Sequence, residues 1–290
     1  MKIMKFTKMQ GLGNDFVILD CMNETFDLTE KEIETLSVKM CDRHFGIGAD
    51  GILLVLPSEK ADICMRIINS DGSEAEMCGN GIRCFARFVY EKGIVKKEVM
   101  TIDTLAGIMV PKILTDETGT VTGIEVDMGE PVLEKPDIPM IGEGRAIGET
   151  IQVEDREFTV TAVSMGNPHC VIFMEDLKDF PIEYWGPRIE KSKYFPRKTN
   201  VEFVQVLNDK EVIMRVWERG AAVTLACGTG SCATTAACIL NQKTGRDILL
   251  HLDGGDLKVR WDENSNHLFM TGPAEESFTG TYNWGDGEND

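Results

Sequence analysis

Apolar and polar positions recur along this chain in two periods, and the period switches at glycine and asparagine. The pattern over residues 5–20 is strand-like and is broken by Gly11-Leu12-Gly13-Asn14, which predicts a hairpin. Residues 29–41 have helical spacing, with Ile33, Leu36, Val38 and Met40 on the apolar side and Thr29 with Glu32 as a capping box. Residues 52–56 and 65–68 predict strands, 80–92 a helix, and the segments around 99–110 and 121–128 further strands. Residues 130–148 are rich in proline and glycine, hold no period, and read as a connecting loop. Strands are then predicted at 152–153, 158–164, 170–174, 201–207 and 211–217, with a helix near 181–192. A last helix follows Cys227, then strands at 248–252, 257–261 and 267–271, and an acidic tail, GDGEND, that predicts disorder.

The two halves of this pattern are copies. Cys78 and Cys227 are separated by 149 positions (227 minus 78). The same offset carries Gly79 to Gly228, Gly81 to Gly230, Met65-Arg66 to Met214-Arg215, and the strand at 52–55 to that at 201–204. It also carries Asn69 to Glu218, each nine residues before its cysteine. Farther out the register slips, yet Gly13-Asn14 before Phe16-Val17-Ile18 echoes Gly166-Asn167 before Cys170-Val171-Ile172, and Met128-Gly129-Glu130-Pro131 echoes Met270-Thr271-Gly272-Pro273. Repeats this long are domains rather than solenoid units. The fold class expected is α+β, with two pseudo-symmetric domains: residues 1–125, completed by a C-terminal strand around 273–284, and residues 126–272.

Composition narrows the possible partners. With 48 acidic against 30 basic residues the net charge of −18 argues against a nucleic-acid or anionic-membrane partner. No apolar run approaches a membrane span, and the N-terminal stretch lacks the apolar core of a signal peptide, so the chain reads as cytoplasmic. Nine cysteines, an odd number without an export signal, indicate free thiols in a reducing compartment. Cys21, Cys41, Cys64, Cys84, Cys170, Cys232 and Cys238 read as small buried hydrophobes. Cysteine and histidine spacing fits no zinc site, so no metal is expected. GIGADG at 46–51 matches a dinucleotide fingerprint literally, but it leads into a strand where that motif needs a helix.

Chemistry concentrates at the two copies of Cys-Gly-x-Gly. Each thiol precedes a helix, where unpaired N–H groups and the positive dipole end favour thiolate and can hold a ligand carboxylate. The spacing predicts that the duplication brings both thiols to one cleft. Two such groups on opposite sides of a carbon suit inversion of a stereocentre, one removing the proton and the other delivering one to the opposite face. Thiols ionise near pH 8.5, close enough to working pH for one to be thiolate while its partner is thiol. The N–H groups of Gly79, Asn80, Gly228 and Thr229 then stabilise charge passed to the substrate carboxylate, with no cofactor required. A purely structural reading, in which both glycine turns are only helix starts, would lead for one copy and falls behind for two.

GLGNDF at 11–16, NSDGSEAEMCGNGIRCFARF at 69–88, GNPH at 166–169, TNVEF at 199–203 and WERGAAVTLACGTGSCA at 217–233 resemble the diaminopimelate epimerases over nearly the whole chain. The resemblance implies cofactor-independent interconversion of LL- and meso-diaminopimelate for lysine and peptidoglycan precursors. It implies two curved mixed sheets, each around a central helix, often in a homodimer. Cys78 and Cys227 would be the acid/base pair, and Gly79-Asn80 and Gly228-Thr229 would hold the reacting carboxylate. Asn14, Asn69, Asn167, Asn200 and Arg219 would bind the distal amino-acid end, with Glu218 taking an ammonium and His169 supporting the site. Gly51 is included among the ligands, although many members have Gln there. Gln10 stands where many have His, and Val223 where an acidic residue is frequent. Arg219 suits carboxylate and Glu218 ammonium, while the asparagines serve both, and also suit turns. Alternatives are a histidine- or proline-type racemase on the same fold and a non-catalytic thiol redox or ligand-binding protein. His169 on its own reads as a turn histidine bonded to backbone.

Overall fold

The computed structural model describes residues 2–23 and 28–285. The last five residues of the acidic tail, 286–290, lie outside them. The chain forms two compact units, one of residues 1–126 with 272–290 and one of residues 127–271.

In the first unit β1 (Lys2–Gly11) turns tightly into β2 (Asn14–Asp20), followed by α1 (Glu30–Cys41), β3 (Gly51–Leu56), β4 (Ile63–Asn69) and β5 (Glu74–Ala75). Then come α2 (Gly79–Glu91), β6 (Ile102–Thr104), β7 (Gly107–Met109), β8 (Lys112–Thr115) and β9 (Val121–Asp127). The second unit contains β10 (Glu149–Val153), β11 (Arg156–Ser164), β12 (Pro168–Met174), α3 (Ile182–Glu190), β13 (Asn200–Val206), β14 (Glu211–Glu218) and β15 (Ala222–Thr224). It closes with α4 (Gly228–Leu240), β16 (Asp247–Leu252), β17 (Gly255–Trp261) and β18 (Leu268–Gly272), after which β19 (Glu275–Trp284) belongs to the first unit.

The duplication is visible in the hydrogen bonding. The first sheet runs β19-β1-β2-β3-β4-β6-β7, with β5 beside β4. In it β2–β3 and β4–β6 are parallel and the neighbouring pairs antiparallel. The second contains the run β10-β11-β12-β13-β14-β16-β17-β18, with β15 beside β14 and with β12–β13 and β14–β16 parallel. The parallel pairs thus fall at matching places in the two copies. Each sheet wraps a helix that is buried nearly all round: α2 through Ile82, Cys84, Phe85, Phe88 and Val89, and α4 through Cys232, Ala233, Ala236, Ala237 and Cys238. The fold is the one the sequence predicts, two mixed sheets each around a central helix.

Three local features place the site residues. Leu12 and Gly13, at φ 57° and 85°, make the two-residue turn between β1 and β2, so Asn14 opens β2 directly. The corresponding turn has three residues, because Ser164 pairs with Pro168. That extra residue accounts for part of the register slip between the copies. Finally, Thr29 and Glu32 form the predicted capping box, and α1 buries Leu36, Ser37 and Met40.

Most differences from the sequence reading fall in short or ambiguous pieces, but Val38, expected on the apolar side of α1, is exposed. The stretch around 99–110 divides into β6 and β7, and β5, β8 and β15 were not foreseen, being two to four residues long. His169 lies on strand β12, paired with Val163 and Asn200, rather than in a turn. Cys21 and Cys64 are half-buried rather than buried.

Candidate active site

In the first unit Cys78 caps α2 from an extended conformation, φ −142° and ψ 121°, and its sulfur accepts from the Gly81 N–H at 3.4 Å. The Asn14 carboxamide lies beside it. Asn14 Nδ2 donates to the Asp50 carboxylate, which can only accept, so Oδ1 must face the other way. There it takes bonds from the Cys78 thiol at 3.5 Å and from Asn80 Nδ2 at 3.2 Å. Asn80 is fixed in turn by Arg83, which donates to Asn80 Oδ1 at 2.8 Å, to the Gly79 carbonyl at 3.0 Å and to the Pro273 carbonyl at 3.1 Å. Arg83 is fully buried on α2, so the first turn of this helix is braced by a cation from below.

Asp50 belongs to a wider charge cluster. Arg43 reaches Asp15 and Asp50, each at 2.8 Å, and Lys8 reaches Asp15 at 2.7 Å. Burial pushes the Asp15 carboxyl up, but Arg43 and Lys8 outweigh it and hold it below the usual range. Asp50 also accepts through its carbonyl from the Ser70 N–H at 3.0 Å, next to Asn69 at the end of β4. Asn69 bonds Ser73 Oγ at 2.9 Å, and its carbonyl accepts from the buried Ser37 hydroxyl of α1 at 2.8 Å. Gly51 pairs with Asn69, and a Cβ there would stand 2.7 Å from the Ile68 carbonyl oxygen. Close backbone approach therefore requires glycine at 51, and any ligand contact would be a backbone one.

In the second unit Cys227 caps α4 in the same way, accepting from Gly230 N–H at 3.4 Å, with Thr229 Oγ1 3.5 Å from the sulfur. Its surroundings are more acidic. Burial, then Glu218 and Glu202, push the Cys227 thiol well above its ordinary value, and the Thr229 and Gly230 bonds oppose this only in part. This corrects the expectation that a helix N-terminus lowers the thiol's pKa: for Cys227 burial and two carboxylates outweigh the dipole. Glu218 is itself raised, by burial first and by Glu202, against the hydrogen bond that the Thr224 hydroxyl donates to it.

The remaining second-unit residues form one network. His169 Nδ1 lies 2.6 Å from Glu202 Oε1 and its Nε2 2.9 Å from Asn167 Oδ1, while Asn167 Nδ2 donates to Thr229 Oγ1 at 3.3 Å. Asn200 Nδ2 donates to the Pro168 carbonyl at 3.2 Å, and its Oδ1 accepts from the Arg219 N–H at 2.8 Å. The Arg219 guanidinium is exposed and donates to the Arg197 carbonyl at 3.1 Å. Asn14, Asn80 and Cys78 are thus in direct contact, with Asn69 and Gly51 reached through Asp50. Asn167, His169, Thr229 and Cys227 form the matching chain, with Asn200 and Arg219 bonded to each other.

Sequence reasoning missed Asp50, Arg43, Arg83, Thr224 and the site role of Glu202. Glu202 carried a signal: a lone acid inside an otherwise apolar strand, where the repeat has Leu53.

The sequence profile of the family described as diaminopimelate epimerase matches residues 6–134 and 161–276. A diaminopimelate epimerase of Heliobacterium modesticaldum is 55% identical over 278 residues, covering 96% of this chain and 99% of that one. One of Pelotomaculum thermopropionicum is 55% identical over 280 residues, with 96% and 99% covered. Among solved structures, a phenazine biosynthesis protein of the PhzF family from Bacillus anthracis superposes with a TM-score of 0.72 at 19% identity, covering 98% of this chain and 100% of that one. A hydroxyproline epimerase of Agrobacterium vitis gives 0.67 at 14%, with 97% and 91% covered. These two share the fold.

Proposed function

The chain belongs to the diaminopimelate epimerase family and is an isomerase that epimerises diaminopimelate in lysine biosynthesis, and from that premise we propose that Cys78 and Cys227 are its acid/base pair. One thiolate removes the α-proton of the LL substrate, and the other, as thiol, gives a proton to the opposite face to yield the meso form. In the reverse direction the roles exchange. Supporting this reading is the observation that each unit holds a thiol as the N-cap of its central helix.

The cost of the reaction lies in the charge that develops as the Cα–H bond breaks. Part of it passes to the adjacent carboxylate, and the N–H groups of Gly79, Asn80, Gly228 and Thr229, at helix starts, suit that charge before it forms. At the distal end the Arg219 fork suits the second carboxylate and Glu218 the ammonium, with Asn14, Asn69, Asn167 and Asn200 offering donors and acceptors. His169 supports Asn167. For Gly51 only the backbone is proposed as a ligand.

Proton NMR of LL-diaminopimelate with the reduced protein in D2O tests the reaction directly. Loss of the α-proton signal with appearance of the meso isomer is expected. A reduced, folded sample that gives neither would sink the assignment and turn attention to other amino acids.

We also propose that the protein is cytoplasmic and works as a homodimer. Among the described residues no helix is long and apolar enough to cross a membrane. Favouring the dimer is β19, an outer strand of its sheet whose residues are mostly exposed, Phe278 among them at 48%. Sedimentation equilibrium is expected to give twice the mass of one chain; the mass of a single chain at all concentrations would contradict it.

A further inference from the structure

The ground beneath the two helix starts differs between the copies. A Cβ on Gly81 would meet Phe16 Cζ at 3.4 Å and Leu53 Cδ2 at 3.6 Å, whereas one on Gly230 would meet Glu202 Oε1 at 2.8 Å. The repeat offset of 149 places Leu53 opposite Glu202 (202 minus 149), and the strand register places Phe16, which pairs with Gly51, opposite His169, which pairs with Asn200 (200 minus 149 is 51). An apolar pair in one unit is therefore an ionisable pair in the other. All four side chains are buried, with Leu53, His169 and Glu202 at 0%.

Such an exchange is expensive, since a buried carboxylate persists only where hydrogen bonds and opposite charge offset its desolvation. Glu202 has an incomplete set: Oε1 is bound to His169, and the buried Oε2 has no hydrogen-bond partner. Packing alone does not explain it, because leucine fills the equivalent place in the first unit. The groups it acts on are close: His169 at 2.6 Å, with Cys170, Glu218 and Cys227 each feeling its charge. His169 then presents its second nitrogen to Asn167, which holds Thr229, the neighbour of the thiol.

We propose that Glu202 is a positioning residue of the Cys227 half-site, which orients His169, Asn167 and Thr229 around that thiol and places a carboxylate beneath it. The role is confined to one half-site, so the two thiols are unequal by construction. Cys227 ionises against its burial and the charge of Glu218, and Glu202 adds to both.

This inference rests on the acid/base reading of the thiols, but its deciding test, alkylation, does not need substrate. The reduced full-length protein, Glu202→Gln, and Glu202→Leu combined with His169→Phe, which recreates the Phe16–Leu53 pair, are alkylated with iodoacetamide across a pH series. Peptide mass mapping reads Cys78 and Cys227 separately. Removing the carboxylate is expected to move the Cys227 midpoint downward, giving about threefold or more faster alkylation at a fixed pH below it, while Cys78 keeps its midpoint. The limb of the kcat–pH profile belonging to Cys227 moves the same way, and Glu202→Asp restores part of the shift. A Cys227 midpoint unmoved in both variants, or equal shifts of both thiols, overturns the proposal. So does failure of both variants to fold, which would make Glu202 a structural support only. If the unaltered protein fails to epimerise diaminopimelate, the enzymatic reading falls, while the alkylation result still decides the role of Glu202.

Discussion

Cys78→Ala and Cys227→Ala are each expected to lower kcat by about 10²–10⁴-fold with little change in KM, because on the proposed mechanism each removes a proton-transfer group acting in the transition state. Combining them should cost little more than either alone, since inversion needs both groups and one loss already breaks the sequence. Serine separates this chemistry from helix capping. Both cysteines are N-caps that accept a backbone N–H, a task serine performs well, so Cys78→Ser and Cys227→Ser should melt close to the unaltered protein. Their hydroxyls are far weaker acids than thiols, so activity should be lost as in the alanine variants. Steady-state kinetics and thermal melts on the four variants check both halves. A serine variant within tenfold of full activity would remove that thiol from the mechanism.

Stability is expected to fall steeply in alkali. Burial raises Cys84 and Cys238 to about 12 and Cys41 to about 11, from an ordinary value of 9.0. Cys170 and Cys227 move the same way, again chiefly by burial. A group whose folded pKa is raised contributes stability that is fully present below its unfolded pKa and lost as pH rises toward the folded one. Above about pH 9 the unfolded chain therefore releases protons that the folded chain keeps, and each thiol costs about 1.4 kcal/mol per pH unit. The three with stated values together amount to about 4 kcal/mol at about pH 10. Urea unfolding under reductant at neutral pH and near pH 10 measures the difference. Equal stability at the two values would mean that these thiols ionise as readily folded as unfolded.

Much of this arrangement is legible in the sequence. Elements with a clear apolar signal, such as the helical spacing of α1 and the unbroken run of the strand at Gly51–Leu56, stand where the pattern placed them, and the Thr29–Glu32 box is formed. The thiols are N-caps because Cys-Gly-x-Gly before an apolar helical pattern leaves them little else to be. What sequence could not show was the sign of the local field. The dipole favours thiolate from the helix alone, whereas burial within the fold, then Glu218 of β14 and Glu202 of β13, outweigh it for Cys227. The supports were hidden for the same reason. Arg83 reads as an ordinary polar residue of an amphipathic helix, and only the fold reveals that it is fully buried with the Pro273 carbonyl at 3.1 Å.

That last contact has a bearing on how the protein is made. Pairing of β1 with β19 runs from Lys2 with Trp284 to Gln10 with Glu275, and Arg83 and Arg87 of α2 bond the carbonyls of Pro273 and Ala274. The helix that carries the first thiol is thus braced by residues that a ribosome adds after the whole second unit. During translation β1 must wait, its outer edge unpaired, while residues 127–271 emerge and fold. A premature stop after residue 271 would yield a finished second unit joined to a first one without its closing strand, open to aggregation along β1. The nascent chain braces the earlier of its two thiol-bearing helices last.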